Sequence, residues 1–122
     1  MSGTNSDEKH LPDTWFQTHI NGDLWTIYLA SEDEVDQIDA DSVGEVDFHA
    51  QEIYIRDSDL SIDTVRHELW HVYLAYCFLV DTNVGYEDMN EVTAALFANR
   101  ATTIVAKADE VLARLIEMRD AR

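Results

Sequence analysis

The residues best suited to chemistry in this sequence are two histidines four positions apart, His67 and His71, with Glu68 directly after the first. Side chains four residues apart lie on the same face of an α-helix, so both imidazoles can bind one metal ion. A glutamate beside the first histidine can then take a proton from a water molecule on that metal. Imidazole and carboxylate ligands favour zinc, and the pattern predicts an open catalytic zinc site. The alternative is a structural helix whose histidines merely share a face.

A catalytic zinc site also needs a third protein ligand and a position for water. Glu91 is the preferred candidate, because it follows His71 by twenty residues and lies at the start of the next predicted helix. Two antiparallel helices joined by the intervening loop would bring that helix end towards the middle of the first helix. Glu87 and Asp88 are rival ligands, and Glu91 could instead only close a capping box with Asp88.

The helix that carries the histidines is predicted to run from Ser61 to Val80, with Asp59 or Ser61 as its N-cap. Its second half is apolar on nearly all sides, which indicates burial. Trp70 and Tyr73 are therefore interpreted as packing residues.

The C-terminal region, Asn90 to Arg119, is predicted to form one or two amphipathic helices. Its apolar residues recur at heptad-like spacing: Ile104, Ala108, Val111, Leu115 and Met118. This face is interpreted as a contact with the core, with a dimer seam as the alternative, so that the protein is either a monomer or a homodimer. Glu110 is predicted to pair with Arg114 on the polar face.

Two hairpins are predicted before the histidine helix. Asn21-Gly22 separates two aromatic and β-branched runs, and this dipeptide between such runs is the strongest short signal for a hairpin. Gly44 starts the second candidate hairpin, whose alternating pattern extends from Val46 to Ile55 with its turn at Ala50-Gln51. The acidic stretch between the hairpins is predicted to be either a short helix through Ile38, opened by a capping box of Ser31 and Glu34, or a loop.

The composition bounds the class of protein. The 122 residues suit one domain, predicted to span residues 14–122 after a flexible tail, residues 1–13. Acidic residues outnumber lysine and arginine by 25 to 8, for a net charge of −17, which excludes nucleic acid and anionic membranes as partners. The charge favours three interpretations: solubility, adaptation to high salt, or mimicry of nucleic acid towards a basic partner.

Cysteine usage and hydropathy bear on location. Cys77 is the only cysteine, which excludes an internal disulfide and a cysteine zinc cluster. The first ten residues lack the apolar segment of a signal peptide, and the longest apolar run, Leu69 to Val80, is too short to span a bilayer. These features predict a cytoplasmic protein.

Taken together, the predicted strand pair, the H-E-x-x-H helix and a following helix that opens with Glu91–Ala98 resemble the small gluzincin-type metallopeptidases, ImmA/IrrE-like in particular. The resemblance covers roughly Val46 to Ala98 and departs from the family pattern at Trp70 and after Ala98. It implies zinc bound by His67, His71 and Glu91, with Glu68 as general base and a protein as substrate. The expected fold is α+β and zincin-like, with a small antiparallel sheet of two hairpins packed on the histidine helix and the C-terminal helices.

Peptide hydrolysis at such a site also needs an oxyanion donor, for which Tyr86 and His49 are the candidates. His49 could instead be a solvent-facing turn residue. The substrate is expected to lie along Glu52–Arg56 as an edge strand, and the acidic surface favours basic peptides. The alternative function is that of a metal-stabilised acidic binding or inhibitor protein with the same fold and no turnover.

Overall fold

The computed structural model describes residues 11–37, 44–80 and 86–122, with the backbone alone for residues 35–37, 76–80 and 86–99. The first hairpin consists of β1 (Thr14–Ile20) and β2 (Asp23–Ala30), which pair antiparallel with Ile20 opposite Asp23. Asn21 and Gly22 have φ angles of 53° and 90°, the positive values that a two-residue hairpin turn of type I′ requires. The predicted first hairpin is confirmed.

The second hairpin consists of β3 (Gly44–Asp47) and β4 (Glu52–Arg56), with Val46 opposite Ile53. Its first strand is shorter than the alternating pattern predicts, because Phe48 and His49 lie in the turn rather than in the strand. The Asp47 carboxylate closes this turn by accepting a hydrogen bond from the Ala50 N–H at 3.0 Å. A short side-chain cap thus ends the strand where alternation alone predicted that it would continue.

The four strands form one sheet in the order β1-β2-β4-β3. The central pair, β2 and β4, is parallel, so the sheet is mixed rather than entirely antiparallel as expected. Parallel neighbours need a crossover of about a dozen residues or more, which the chain between β2 and β4 supplies. The α+β class is confirmed, but Glu52–Arg56 is an internal strand and the prediction that it forms an edge is wrong.

The chain leaves β2 through a 3-10 helix, Glu32–Gln37, that opens with one half of the predicted capping box, because the Glu34 N–H bonds the Ser31 carbonyl oxygen rather than its hydroxyl. The Glu34 carboxylate accepts hydrogen bonds from the Ser31 N–H at 3.0 Å and the Ser31 hydroxyl at 2.8 Å. Its other oxygen accepts the Asp13 N–H at 2.8 Å, which ties residues just before β1 to this turn. The predicted short helix is therefore present, as a 3-10 helix rather than an α-helix.

Two helices follow the sheet: α1 (Ile62–Val80) and α2 (Tyr86–Asp120). The Ser61 hydroxyl accepts a hydrogen bond from the Thr64 N–H at 3.2 Å and caps α1 as predicted. Both helices contribute to the core on one face of the sheet. Its most deeply buried side chains are Ile20, Ile27, Leu29, Ile53, Ile55, Val65, Leu69, Val72, Val111 and Leu115. No helix in the described ranges is long and apolar enough to cross a membrane.

The C-terminal region forms a single helix whose apolar face, including Ile104 and Ala108, is buried within the chain. The core interpretation of this face is confirmed, and the same residues are not free to form a dimer seam. Glu110 accepts a bond from Lys107 at 2.7 Å instead of pairing with Arg114. The Arg114 guanidinium lies 5.9 Å from the centre of the Phe16 ring, where it makes a cation–π contact.

Candidate metal centre

His67, Glu68 and His71 lie in the first half of α1. The helix buries its opposite side, where Leu69 and Val72 are fully covered by the core. Because the apolar positions fix the rotation of the helix, the two histidines are turned outwards and both are exposed. Glu68, between them in sequence, points to the boundary between helix and sheet and is 4% exposed.

The two imidazoles stand close together on the helix surface. Their Nε2 atoms are 3.1 Å apart, and the ring planes are inclined by 82°. Two nitrogens bound to one tetrahedral zinc at about 2.0–2.1 Å lie roughly 3.3 Å from each other. The same distance also suits a hydrogen bond between one protonated and one bare ring nitrogen. The pair therefore fits one zinc ion with little change in either side chain.

Electrostatics favour the metal-binding form of the second histidine. Partial burial lowers the pKa of His71, and the neighbouring His67 lowers it further. An imidazole must be neutral to bind a metal, so a lowered pKa keeps His71 competent at more acidic pH than an ordinary histidine.

Glu68 is the most unusual carboxylate of the described chain, because its side chain is almost completely buried without a matching cation in contact. Burial raises the pKa of Glu68, His67 opposes this increase, and Glu45 adds to it. The His67 Nε2 lies 4.0 Å from the Glu68 Oε1. A carboxyl group whose pKa is shifted towards neutrality can both accept and return a proton, as a general base must do.

Gly44, the first residue of β3, lies directly against Glu68. A Cβ atom at this position would be 3.0 Å from the Glu68 Cγ, 3.1 Å from the Glu68 Cδ and 2.9 Å from the Tyr54 carbonyl oxygen. Only glycine lets the strand pass this close to the carboxylate. Sequence reasoning placed Gly44 at the start of the strand but gave it no role. The signal for that role lies in a contact between residues distant in sequence.

The proposed third ligand falls outside the described side chains. Glu91 lies in α2, which begins at Tyr86 rather than at Asn90, and only its backbone is described. The same holds for its rivals Glu87 and Asp88, and for Tyr86. Among the described side chains, no group of three histidine, cysteine or acidic residues is gathered to hold a metal. Glu91 and Tyr86 therefore stay predictions.

His49 is exposed in the turn between β3 and β4. It lines a cleft with Glu45, Asp47 and Phe48, and this cleft includes neither His67 nor His71. The structure thus brings His67, Glu68 and His71 together and places His49 in the cleft beside β3. The exposed position of His49 agrees with its interpretation as a solvent-facing turn residue.

Comparisons of this chain with protein-family models, curated proteins and solved structures found no match. The resemblance to the gluzincin-type metallopeptidases stays a prediction, and the case for function depends on the geometry of the site itself.

Proposed function

We propose that this protein is a zinc-dependent metallopeptidase that hydrolyses peptide bonds of a protein substrate. The observation that carries the proposal is the arrangement of His67 and His71, with Nε2 atoms 3.1 Å apart, beside the buried carboxylate of Glu68. A structural helix that only needed solubility on this face would have no reason to bury a carboxylate beside its exposed histidines. A buried acid beside two paired metal ligands supplies the base and two of the three protein ligands that zinc-assisted hydrolysis requires.

In this proposal His67 and His71 hold the zinc ion and Glu91 completes its ligands. When bound, zinc supplies Lewis acidity, which polarises a peptide carbonyl and makes water easier to deprotonate. The lowered pKa of His71 keeps that imidazole neutral and available as a ligand. Glu91 is included on its position in the sequence alone.

Glu68 acts as the general base. Its buried carboxylate takes the proton of the attacking water, and its raised pKa makes it able to pass that proton to the leaving nitrogen. The backbone of β3 at Gly44 lies against this carboxylate and limits how far it can move. Tyr86 and His49 are both retained as candidates for the oxyanion donor, and His49 lines the cleft beside β3.

The substrate is proposed to bind along β3 rather than along Glu52–Arg56. Within the described part of the chain β3 forms the edge of the sheet, and it begins beside Glu68. An extended peptide can add to such an edge through main-chain hydrogen bonds, which would carry it past the proposed site.

The first test is elemental analysis of protein purified without added metal or chelator. We expect about one zinc per chain in the wild type, its loss in His67→Ala, and its retention in the control His19→Ala, which removes an exposed histidine from β1. Protein that folds normally and cannot be loaded with zinc would overturn the metal site. Glu91→Ala should weaken metal retention more than Glu87→Ala, and the opposite order would move the third ligand.

The second test is Glu68→Gln. This change should leave the zinc content unchanged and reduce peptide hydrolysis by about 10²- to 10⁴-fold, because it removes proton transfer. Hydrolysis that survives the change would contradict the role of Glu68.

A second candidate function is supported by the net charge of −17. A metal-stabilised acidic protein could bind and inhibit a basic partner through its surface without turnover. Glu68→Gln separates the two functions, because stoichiometric inhibition should survive it. For either function we propose a cytoplasmic location, with which a single cysteine agrees.

A further inference from the structure

The edge strand β3 presents two acidic side chains on one face of the sheet. Glu45 lies opposite Tyr54 and Asp47 lies opposite Glu52, whereas Val46 lies opposite Ile53 of the core. Successive side chains of a strand alternate between faces, so Glu45 and Asp47 both point away from the helices. Both are exposed. A peptide added to this edge would meet a carboxylate at every second residue.

The face of the sheet that points away from the helices holds a third carboxylate, that of Glu52, in a fixed position. Tyr28 and Tyr54 stack with ring centres 4.8 Å apart and planes 9° from parallel. Their hydroxyls donate to the two oxygens of Glu52 at 3.2 and 2.9 Å. Burial, reinforced by Glu52, raises the pKa of both tyrosines, so both remain donors at neutral pH. Glu52 is therefore held in place next to the strand edge.

A cleft of about 470 Å³ joins these acids to apolar surface. Its apolar part includes Leu11 and Phe48, and Phe48 is 49% exposed. Among the described residues that line the cleft there are three carboxylates and neither lysine nor arginine. Long basic side chains combine an apolar stem with a charged head, and an aromatic ring beside carboxylates complements both parts.

We propose that β3 binds an extended peptide segment with lysine or arginine at alternate positions, one of these side chains lying in the cleft between Phe48 and the carboxylates of Glu45 and Asp47. Opposite charges directly across two strands stabilise their pairing, which makes the spacing of the basic residues, and not only their number, the recognised feature. This inference rests on the proposed function only in naming the bound segment as substrate. The binding itself requires no hydrolysis.

The experiment compares two labelled peptides of identical composition. One has its lysines at alternate positions, Thr-Lys-Val-Lys-Val-Thr, and the other has them adjacent, Thr-Val-Lys-Lys-Val-Thr. Their Kd values for the full-length Glu68→Gln protein, in which cleavage is blocked, are measured by fluorescence anisotropy at low ionic strength. We expect the alternating peptide to bind about 1.5- to 5-fold more tightly, because adjacent lysines point to opposite faces and the second peptide loses one cross-strand charge pair.

Two protein variants test the assignment to β3. Glu45→Gln should weaken binding of the alternating peptide by about 1.5- to 5-fold and leave the other peptide nearly unchanged. The control Glu117→Gln removes the same charge from an exposed position of α2 and should affect both peptides equally and slightly. Methylation of the peptide nitrogens on the edge that faces β3 should abolish binding, because it removes the main-chain hydrogen bonds to that strand.

Equal Kd values for the two peptides, or a Glu45→Gln effect no larger than that of Glu117→Gln, would overturn the inference. The acids of β3 would then only protect the edge against pairing with other chains. Binding with the expected preference but no cleavage by the wild-type protein would retain this inference and overturn the proposed function. Cleavage by the wild-type protein without the preference would retain the proposed function and overturn this inference.

Discussion

The two hairpins of this protein are held in different ways. The first has strands of seven and eight residues, and the second strand buries five of its side chains. It is also tied to α2, because Lys107 Nζ lies 2.6 Å from the Thr18 hydroxyl and 2.7 Å from the Glu110 carboxylate. The second hairpin begins with a four-residue strand at the edge of the sheet, and the two acidic side chains of that strand are exposed.

The two hairpins therefore have different roles: the first supports the fold, and the second borders the proposed site. β2 and β4 form the buried centre of the sheet, whereas α1 packs across β4 and the edge strand β3, so the histidine helix lies where the buried centre meets the edge. β3 contributes little to the core, yet it contacts Glu68 and forms the edge of the sheet within the described part of the chain. Binding elements are commonly drawn from the less stable parts of a domain, because they must leave their polar groups available.

The largest expected effect comes from breaking the first hairpin. Ile27 is completely buried in β2, and Ile27→Ala should reduce the free energy of unfolding by about 2–5 kcal/mol through lost burial and a remaining cavity. Val46→Ala, on half-buried Val46 of β3, should cost about 1 kcal/mol or less. Urea denaturation measures both. Equal losses would show that the edge strand is anchored as firmly as the centre, which would contradict the comparison.

The features that could be predicted from sequence are those set by neighbouring residues. Asn21-Gly22 specifies its turn because few other dipeptides tolerate two positive φ angles. The spacing of His67 and His71 follows from helix geometry alone, and both nitrogens meet as expected. Ser61 and the pair Ser31 and Glu34 cap their helices through contacts three residues apart.

The features that could not be predicted depend on contacts between distant parts of the chain. Both strands of the second hairpin alternate in the same way, so the pattern does not reveal which one is inserted beside β2 and which one remains at the edge. Lys107 rather than Arg114 binds Glu110, because Thr18 of β1 offers Lys107 a second partner. The contact between Gly44 and Glu68 likewise exists only once strand and helix are packed.

A smaller effect is expected from Gly44→Ala, which tests where the second hairpin meets the site. The added methyl group would lie 3.0 Å from the Glu68 Cγ and 2.9 Å from the Tyr54 carbonyl oxygen, and such overpacking costs about 1–3 kcal/mol. Part of this cost should disappear in the background Glu68→Ala, which removes one of the two obstacles. Thermal denaturation of the four proteins in this cycle gives the coupling energy.

Gly22→Ala is the matched control for that cycle. Nothing lies within 4 Å of a Cβ atom built on Gly22, but its φ of 90° is strained for alanine. The variant should therefore lose about 1 kcal/mol through backbone conformation, with no coupling to Glu68. Coupling of Glu68 to Gly22 as strong as to Gly44 would show that the effect is global and does not arise from the contact.

The smallest expected effect concerns the charge of Glu68 in protein stripped of metal by a chelator. Burial raises the pKa of Glu68 above its ordinary value of 4.5, so the folded protein binds more protons than the unfolded chain as the pH rises from that value. The contribution of Glu68 to the free energy of unfolding of the wild type then falls across this window, whereas the neutral side chain of Glu68→Gln causes no such loss. The Tm of Glu68→Gln should be equal to or below that of the wild type at pH 4 and above it at pH 7. For the control Glu117→Gln, at an exposed position, the Tm difference from the wild type should change little between these pH values. A Tm difference that is constant with pH, or that reverses, would contradict a raised pKa of Glu68. The second hairpin would then lose its distinguishing role, because it would not cover a reactive acid.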